Sequence, residues 1–255
     1  MNQELAKGAL DQSTSGVHPL RVEDLEKYGA SLEMPKEAVK AQIGIMVKAL
    51  RKKFGLLGML GVFLDTYFIQ KRLRRDFPET RKKVAEFGKV IEKELFALSG
   101  IYLASANRLG RNEAYEFLKY EVINKLALVS MPLLYQVPEL KRCDGDVFEN
   151  FKKMNIALFE RTTEDGTWLM ESCKNEPDKL TIRITTCTNF ELFNELNVPE
   201  LGRFFCDHDV AGYAAIEQDV NCEFRRFCTI ANGDDYCLFE FYRRGTAPDN
   251  AHLNI

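Results

Sequence analysis

From Pro35 onward apolar residues recur every three or four positions, at Val39, Ile43, Met46, Leu50 and Phe54, which is the spacing of one helical face. Pro35 suits a first helical position, whose N–H has no intrahelical partner in any case. A second helix is expected to carry Leu57, Leu60, Leu64, Tyr67 and Phe68 and to end before Phe77-Pro78. A third runs from Pro78 through Val84, Phe87, Ile91, Leu95 and Leu98 to a stop at Ser99-Gly100. A fourth starts near Asn112, a good N-cap, carries Tyr115, Leu118, Val122, Leu126 and Val129, and fails at Pro132. Residues 101–110 fit no element. Gly55, Gly58 and Gly61 suggest a phosphate loop, but no Gly-Lys-Ser/Thr follows and no strand–turn–helix surrounds them, so close helix packing is the better reading.

Beyond Val137-Pro138 the period changes. A short helix over Val147–Phe159 leads to a turn at Glu164-Asp165-Gly166, and then Trp168–Cys173 and Leu180–Cys187 form a hairpin around Asn175-Glu176-Pro177-Asp178. In its second strand Leu180, Ile182 and Ile184 alternate with Thr181, Arg183, Thr185 and Cys187. A helical stretch starts at Asn189, kinks at Val198-Pro199 and continues past Cys206. A last hairpin pairs Val220–Ile230 with Tyr236–Tyr242 across Asn232-Gly233-Asp234-Asp235. The expected fold is α+β: an N-terminal helical layer, then an antiparallel four-stranded sheet in the order strand-strand-helix-strand-strand, with helices on one side. Along the chain this divides into a polar lead-in (1–34), a helical region (35–137), an α+β region (138–244) and a tail (245–255).

Composition narrows the function. The chain has 255 residues, 45% of them hydrophobic, with a formal charge of −3 and a pI of about 5.8. That balance argues against nucleic acid. The basic cluster Lys71-Arg72-Leu73-Arg74-Arg75 with Arg81-Lys82-Lys83 reads as a solvated helix face. Met1 to Pro19 has no signal-peptide core, and the apolar run Leu56–Leu64 is too short to span a bilayer. A soluble cytoplasmic protein without membrane contact is expected, acting on a small molecule, with a homo-oligomer left open. Six of the seven cysteines lie between Cys173 and Cys237, and in a reducing compartment they stay thiols.

Cys187 is the most informative of them. Thr188-x-x-Glu191 has the form of a capping box, which places Cys187 just before a helix, where the dipole lowers a thiol pKa. A small residue filling a strand-to-helix corner explains the position equally well. Cys206 and Asp209 share a helix face, as a nucleophile with its acid–base partner, as a metal half-site, or as a buried thiol near a surface carboxylate. Cys228 and Cys237 flank the Gly233 turn and, with Cys206, offer zinc ligands, although no Cys-x-x-Cys pair is present. Cys173 and Cys222 read as structural, and His208 as a surface histidine. His18 and His252 lie in the tails. Arg226 falls on a core-facing set with Val220, Cys222, Phe224, Cys228 and Ile230, so it must either pair with an internal carboxylate such as Asp209 or open onto a substrate anion.

Cys187-Thr188-Asn189-Phe190, Val198-Pro199-Glu200-Leu201, Cys206-Asp207-His208-Asp209, Arg226-Phe227-Cys228-Thr229-Ile230-Ala231-Asn232-Gly233 and Cys237-Leu238-Phe239 occur in that order. Together they resemble the 2-aminothiazoline-4-carboxylate hydrolase family over the last quarter to third of the chain. Phe227 stands where that pattern has Thr, and Leu238 where it has Asp. The resemblance implies hydrolytic opening of a small cyclic amidine or thioimidate carboxylate, without cofactor or metal. It also implies Cys187, Asp209, Cys206 and Cys237 as catalytic residues and Arg226, Thr229 and Gly233 as substrate-binding ones. A weaker resemblance of the hairpin-plus-cysteine ending to vinyl-4-reductase-like ligand-binding domains implies the alternative, a small-molecule-binding module with a structural zinc.

Overall fold

The computed structural model describes residues 19–30, 34–87 and 89–248. His18, His252 and most of the polar lead-in and tail lie outside them. Helix α1 (Lys36–Asp76) is two helices joined at Gly55, whose φ of 71° and ψ of 179° only glycine adopts readily, so the expected pair of helices meets at a sharp kink. It packs along α3 (Lys89–Leu109), with the short α2 (Pro78–Glu86) between them. α3 continues through Ser99-Gly100 and takes in the unplaced residues 101–109, contrary to the expected stop. Ser99 Oγ bonds the Leu95 carbonyl, and a Cβ on Gly100 would lie 2.8 Å from Gln70 Cγ and 3.1 Å from the Thr66 carbonyl of α1. The glycine is there for a close helix approach. Tertiary contact outweighs its weak helix propensity.

Two further boundaries differ from expectation. α4 (Arg111–Leu118) starts two residues earlier than expected, with Gly110 (φ 84°) as N-cap in place of Asn112. Through a π-helical turn (Lys119–Ile123) it leads into α5 (Asn124–Leu134), which runs through Pro132. Met131 holds that end of α5 in place by filling the space above Gly212, where a Cβ would fall 2.1 Å from Met131 Cγ. The Tyr135 N–H then closes the last turn on the Met131 carbonyl. A short α6 (Val137–Leu140) precedes α7 (Val147–Glu164), which Asp146 caps by accepting the Glu149 N–H.

The sheet follows, in the order β1-β2-β4-β3 and antiparallel throughout: β1 (Trp168–Glu176), β2 (Lys179–Cys187), β3 (Cys222–Arg225) and β4 (Cys237–Arg243). Between its two hairpins lie α8 (Thr188–Glu195), a 3-10 turn (Pro199–Leu201) and α9 (Gly202–Ile216). β3 is shorter than expected: residues 226–229 leave the ladder, and only the Leu238 N–H bond to the Cys228 carbonyl continues it. The fold is thus α+β, with α7 and α9 on one face of the sheet. Phe151 and Phe159 of α7 and Tyr213 of α9 meet Phe224, Phe239 and Phe241 of the sheet there. A second apolar cluster fills the helical layer, and α9 feeds both, with Phe204 in one and Tyr213 and Ile216 in the other.

Candidate functional site

Three consecutive polar residues on α9 cannot share one solvated face, because neighbours on a helix point about 100° apart. Each meets a different element. Asp207 turns into the helical layer, where Lys119 Nζ of the π-helical turn lies 3.0 Å from its carboxylate and the Tyr115 hydroxyl donates to it at 2.5 Å. His208 Nε2 bonds Ser130 Oγ of α5 at 2.7 Å, so it is half-buried and partnered rather than the surface histidine expected. Asp209 turns toward the sheet and accepts from Arg226 Nη1 at 2.7 Å.

Arg226 is the centre of the site. It is only 2% exposed, its guanidinium lies 3.8 Å from the Phe239 ring centroid, and Nη2 reaches Cys206 Sγ at 3.7 Å. Burial works against its charge, but the Asp209 carboxylate keeps the guanidinium protonated, and the side chains of Cys206, Cys237 and Cys187 lie nearby. Burial pushes the Asp209 carboxyl up to about 6 even though Arg226 pulls it down. One turn along α9, the Tyr213 hydroxyl joins that of Tyr135 at 2.7 Å, and Tyr135 donates to Asn155 Oδ1 at 2.7 Å. Burial raises both phenols, so they stay protonated and serve as hydrogen-bond donors.

The thiols depart from expectation in two ways. Cys187 stands at the N-terminus of α8 as the N-cap itself, while Thr188 Oγ1 donates to the Gly166 carbonyl at 2.8 Å instead of capping the helix. The Phe190 N–H approaches the Cys187 sulfur and lowers its pKa, but burial dominates and pushes the thiol up to about 11. Cys187 also faces the opposite way. The ladder pairs Met170 with Ile184 and Leu169 with Thr186, which leaves Thr185 as an extra residue that reverses the alternation. Opposite Trp168, whose indole packs on Phe159 and Phe239, Cys187 lies on the core side and not on that of Arg183. Burial likewise pushes Cys206 up to about 12.

Cys237 is buried and takes the Ile230 N–H on its sulfur at 3.3 Å. Thr229 is buried in the same turn, held by its N–H to Asp234 Oδ2 at 2.8 Å, and Gly233 (φ 95°) closes that turn at the surface. Cys187, Cys206, Asp209, Arg226, Cys237 and Thr229 thus occupy one region, with Gly233 at its rim. Cys228 is half-buried on the same turn, and Cys173 lies exposed on β1. Among the described residues no three His, Cys, Asp or Glu side chains are arranged to hold a metal ion. Arg226 Nε and Thr229 Oγ1 are buried without a hydrogen-bond partner, and such groups mark places where a ligand or water completes the shell.

His208 and Asp209 give a pH signature. Burial lowers His208 to about 4, so its contribution to stability is present above its unfolded value of 6.5 and is lost as pH falls toward 4. Asp209 is raised from 3.8 to about 6, so its contribution runs the other way, present below 3.8 and lost as pH rises through 6. The two largely offset in wild type. His208→Gln is expected to unmask the Asp209 term: between pH 7 and pH 5 the variant gains about 1–2 kcal/mol relative to wild type in urea unfolding. An unchanged difference would place His208 in solvent.

Sequence reasoning missed Lys119, Tyr115, Tyr135, Asn155 and Tyr213. The signal for the first two was the run Asp207-His208-Asp209 itself, which forces at least one charged group inward. Tyr135, Asn155 and Tyr213 left no pattern, because a hydroxyl at an apolar spacing is indistinguishable from core.

Compared with known proteins, residues 88–241, more than half of the chain, match the family model described as L-2-amino-thiazoline-4-carboxylic acid hydrolase. The match reaches well beyond the motifs of the last third and takes in α3 to α5 as well as α6 and α7. No curated protein and no solved structure matches the chain.

Proposed function

The chain belongs to the L-2-amino-thiazoline-4-carboxylic acid hydrolase family, and from that membership we propose that it is a cysteine-centred hydrolase opening a small cyclic amidine or thioimidate that bears a carboxylate. The observation that carries this reading is the buried Arg226–Asp209 pair at 2.7 Å, set among three thiols and beside two unpartnered buried donors.

Cys187 is the nucleophile, being the least buried thiol of the cluster and lying at a helix N-terminus. Its high thiol pKa means that a base must take the proton as attack occurs, and Asp209, poised near 6, is ionised at neutral pH and able to accept it. The sulfur bonds to the amidine carbon, a ring carbon–heteroatom bond breaks, and the proton from Asp209 goes to the leaving atom. Water then adds to the same carbon and releases the thiol, so one water is consumed per turnover. Arg226 Nε and Thr229 Oγ1 take the substrate carboxylate, and the Gly233 turn holds Thr229 in place. Cys206 and Cys237 hold their sulfurs against Arg226 and the Ile230 N–H.

Incubation with a panel of carboxylated cyclic amidines, followed by mass spectrometry and free-thiol detection, is expected to show ring opening with gain of one water. A free thiol identifies cleavage at sulfur. For the substrate that turns over, kcat/KM should fall with unit slope below an apparent pKa near 6, as Asp209 becomes protonated. Turnover of no member of the panel would sink the assignment.

A further inference from the structure

Among the described residues no helix is long and apolar enough to cross a membrane. The second arm of α1 is nevertheless apolar on both sides. Met59, Val62, Thr66, Ile69 and Leu73 are buried toward the rest of the helical layer. The outward side presents Leu56, Leu57, Leu60, Phe63, Leu64 and Phe68 to solvent, with Leu57 82% and Leu64 59% exposed. A monomeric soluble protein rarely shows so continuous an apolar stripe without a partner.

Charge identifies the partner. Lys36–Asp76 carries ten Lys and Arg against three Asp and Glu, in a chain whose overall charge is negative. The basic groups bracket the stripe: Lys48 and Arg51 lie exposed before it, and Lys71 and Arg72 continue its outward face after it, while Lys52 and Arg75 are paired with Glu121 and Asp76. Asp65, the one acid within the stripe, is turned to Arg108 at 2.7 Å. A second copy docked antiparallel on this face would set basic end against basic end. An apolar stripe with cations at both ends matches instead the boundary of an anionic bilayer, where acyl chains take the leucines and headgroups take the lysines and arginines.

We propose that the outward face of α1 from Leu56 to Arg75 is a peripheral docking surface for anionic lipid membranes. This departs from the sequence-based expectation of a protein without membrane contact, and it is independent of the proposed chemistry.

The test is co-sedimentation of the full chain with phosphatidylcholine vesicles containing or lacking about a third phosphatidylserine. Binding is expected only to the anionic vesicles and should weaken in high salt. Leu57→Ser/Leu60→Ser/Leu64→Ser alters only exposed side chains, so it should fold normally and lose binding tenfold or more. Lys71→Glu/Arg72→Glu should lose on the order of fivefold per charge removed. Equal binding to neutral vesicles, or no binding to anionic ones, overturns the proposal. So does a wild-type dimer in solution that the triple serine variant converts to monomer, since the stripe would then belong to a second copy.

Discussion

Replacing Cys187 by serine is expected to cut turnover by about 10³-fold or more while leaving the melting temperature nearly unchanged. The side chains are close in size and the position is only half-buried, so the cost to folding is small. The cost to chemistry is large, because a hydroxyl beside a base of pKa near 6 is a far poorer nucleophile than a thiol. Cys206→Ala serves as the companion. Cys206 is buried and its sulfur faces the Arg226 guanidinium, so this variant should keep activity within about tenfold and show its effect mainly in stability. Were Cys206→Ala to abolish turnover and Cys187→Ser to spare it, the nucleophile would be the inner thiol.

The second large effect is at Arg226. Arg226→Met leaves Asp209 as a buried carboxylate with no counter-charge, which costs about 3–5 kcal/mol in systems of this kind. Protonation of Asp209 relieves part of that, so the loss should be larger at pH 8 than at pH 5. Adding Asp209→Leu should recover most of the stability, since removing both charges is often close to neutral, while activity stays lost. Arg226→Lys separates pairing from substrate clamping. It keeps the charge but loses the contact to Cys206 and the stacking on Phe239, and it is expected to lower the melting temperature. A raised KM with an unaltered melting temperature would instead mean that the guanidinium acts mainly on the substrate.

Periodicity carried most of the fold. The clean alternation of Leu180, Ile182 and Ile184 placed β2 and its buried face correctly, and Asn232-Gly233 marked a real left-handed turn. What failed were local stop signals overridden by distant contacts. Gly100 stays in its helix because α1 packs against it, and Pro132 because Met131 is set over Gly212. The direction of Cys187 was not legible either. A single extra residue at Thr185 reverses the alternation, and nothing in Thr185-Thr186 announces a bulge. For the site, core-facing spacing put Arg226 inside and named Asp209 as its carboxylate, a pairing the structure contains. At Cys187 the helix terminus that lowers a thiol pKa is visible in sequence, and the burial that outweighs it is not.

The run Asp207-His208-Asp209 has a consequence for how this chain can vary in length. Its three side chains engage Lys119, Ser130 and Arg226, partners on three separate elements. Inserting or deleting one residue between Gly202 and Asp207 would turn all three by about 100° at once and strand two buried carboxylates and an imidazole against the wrong neighbours. α9 thus admits substitution but no change of length. An alignment of relatives should therefore be free of gaps from Gly202 to Tyr213.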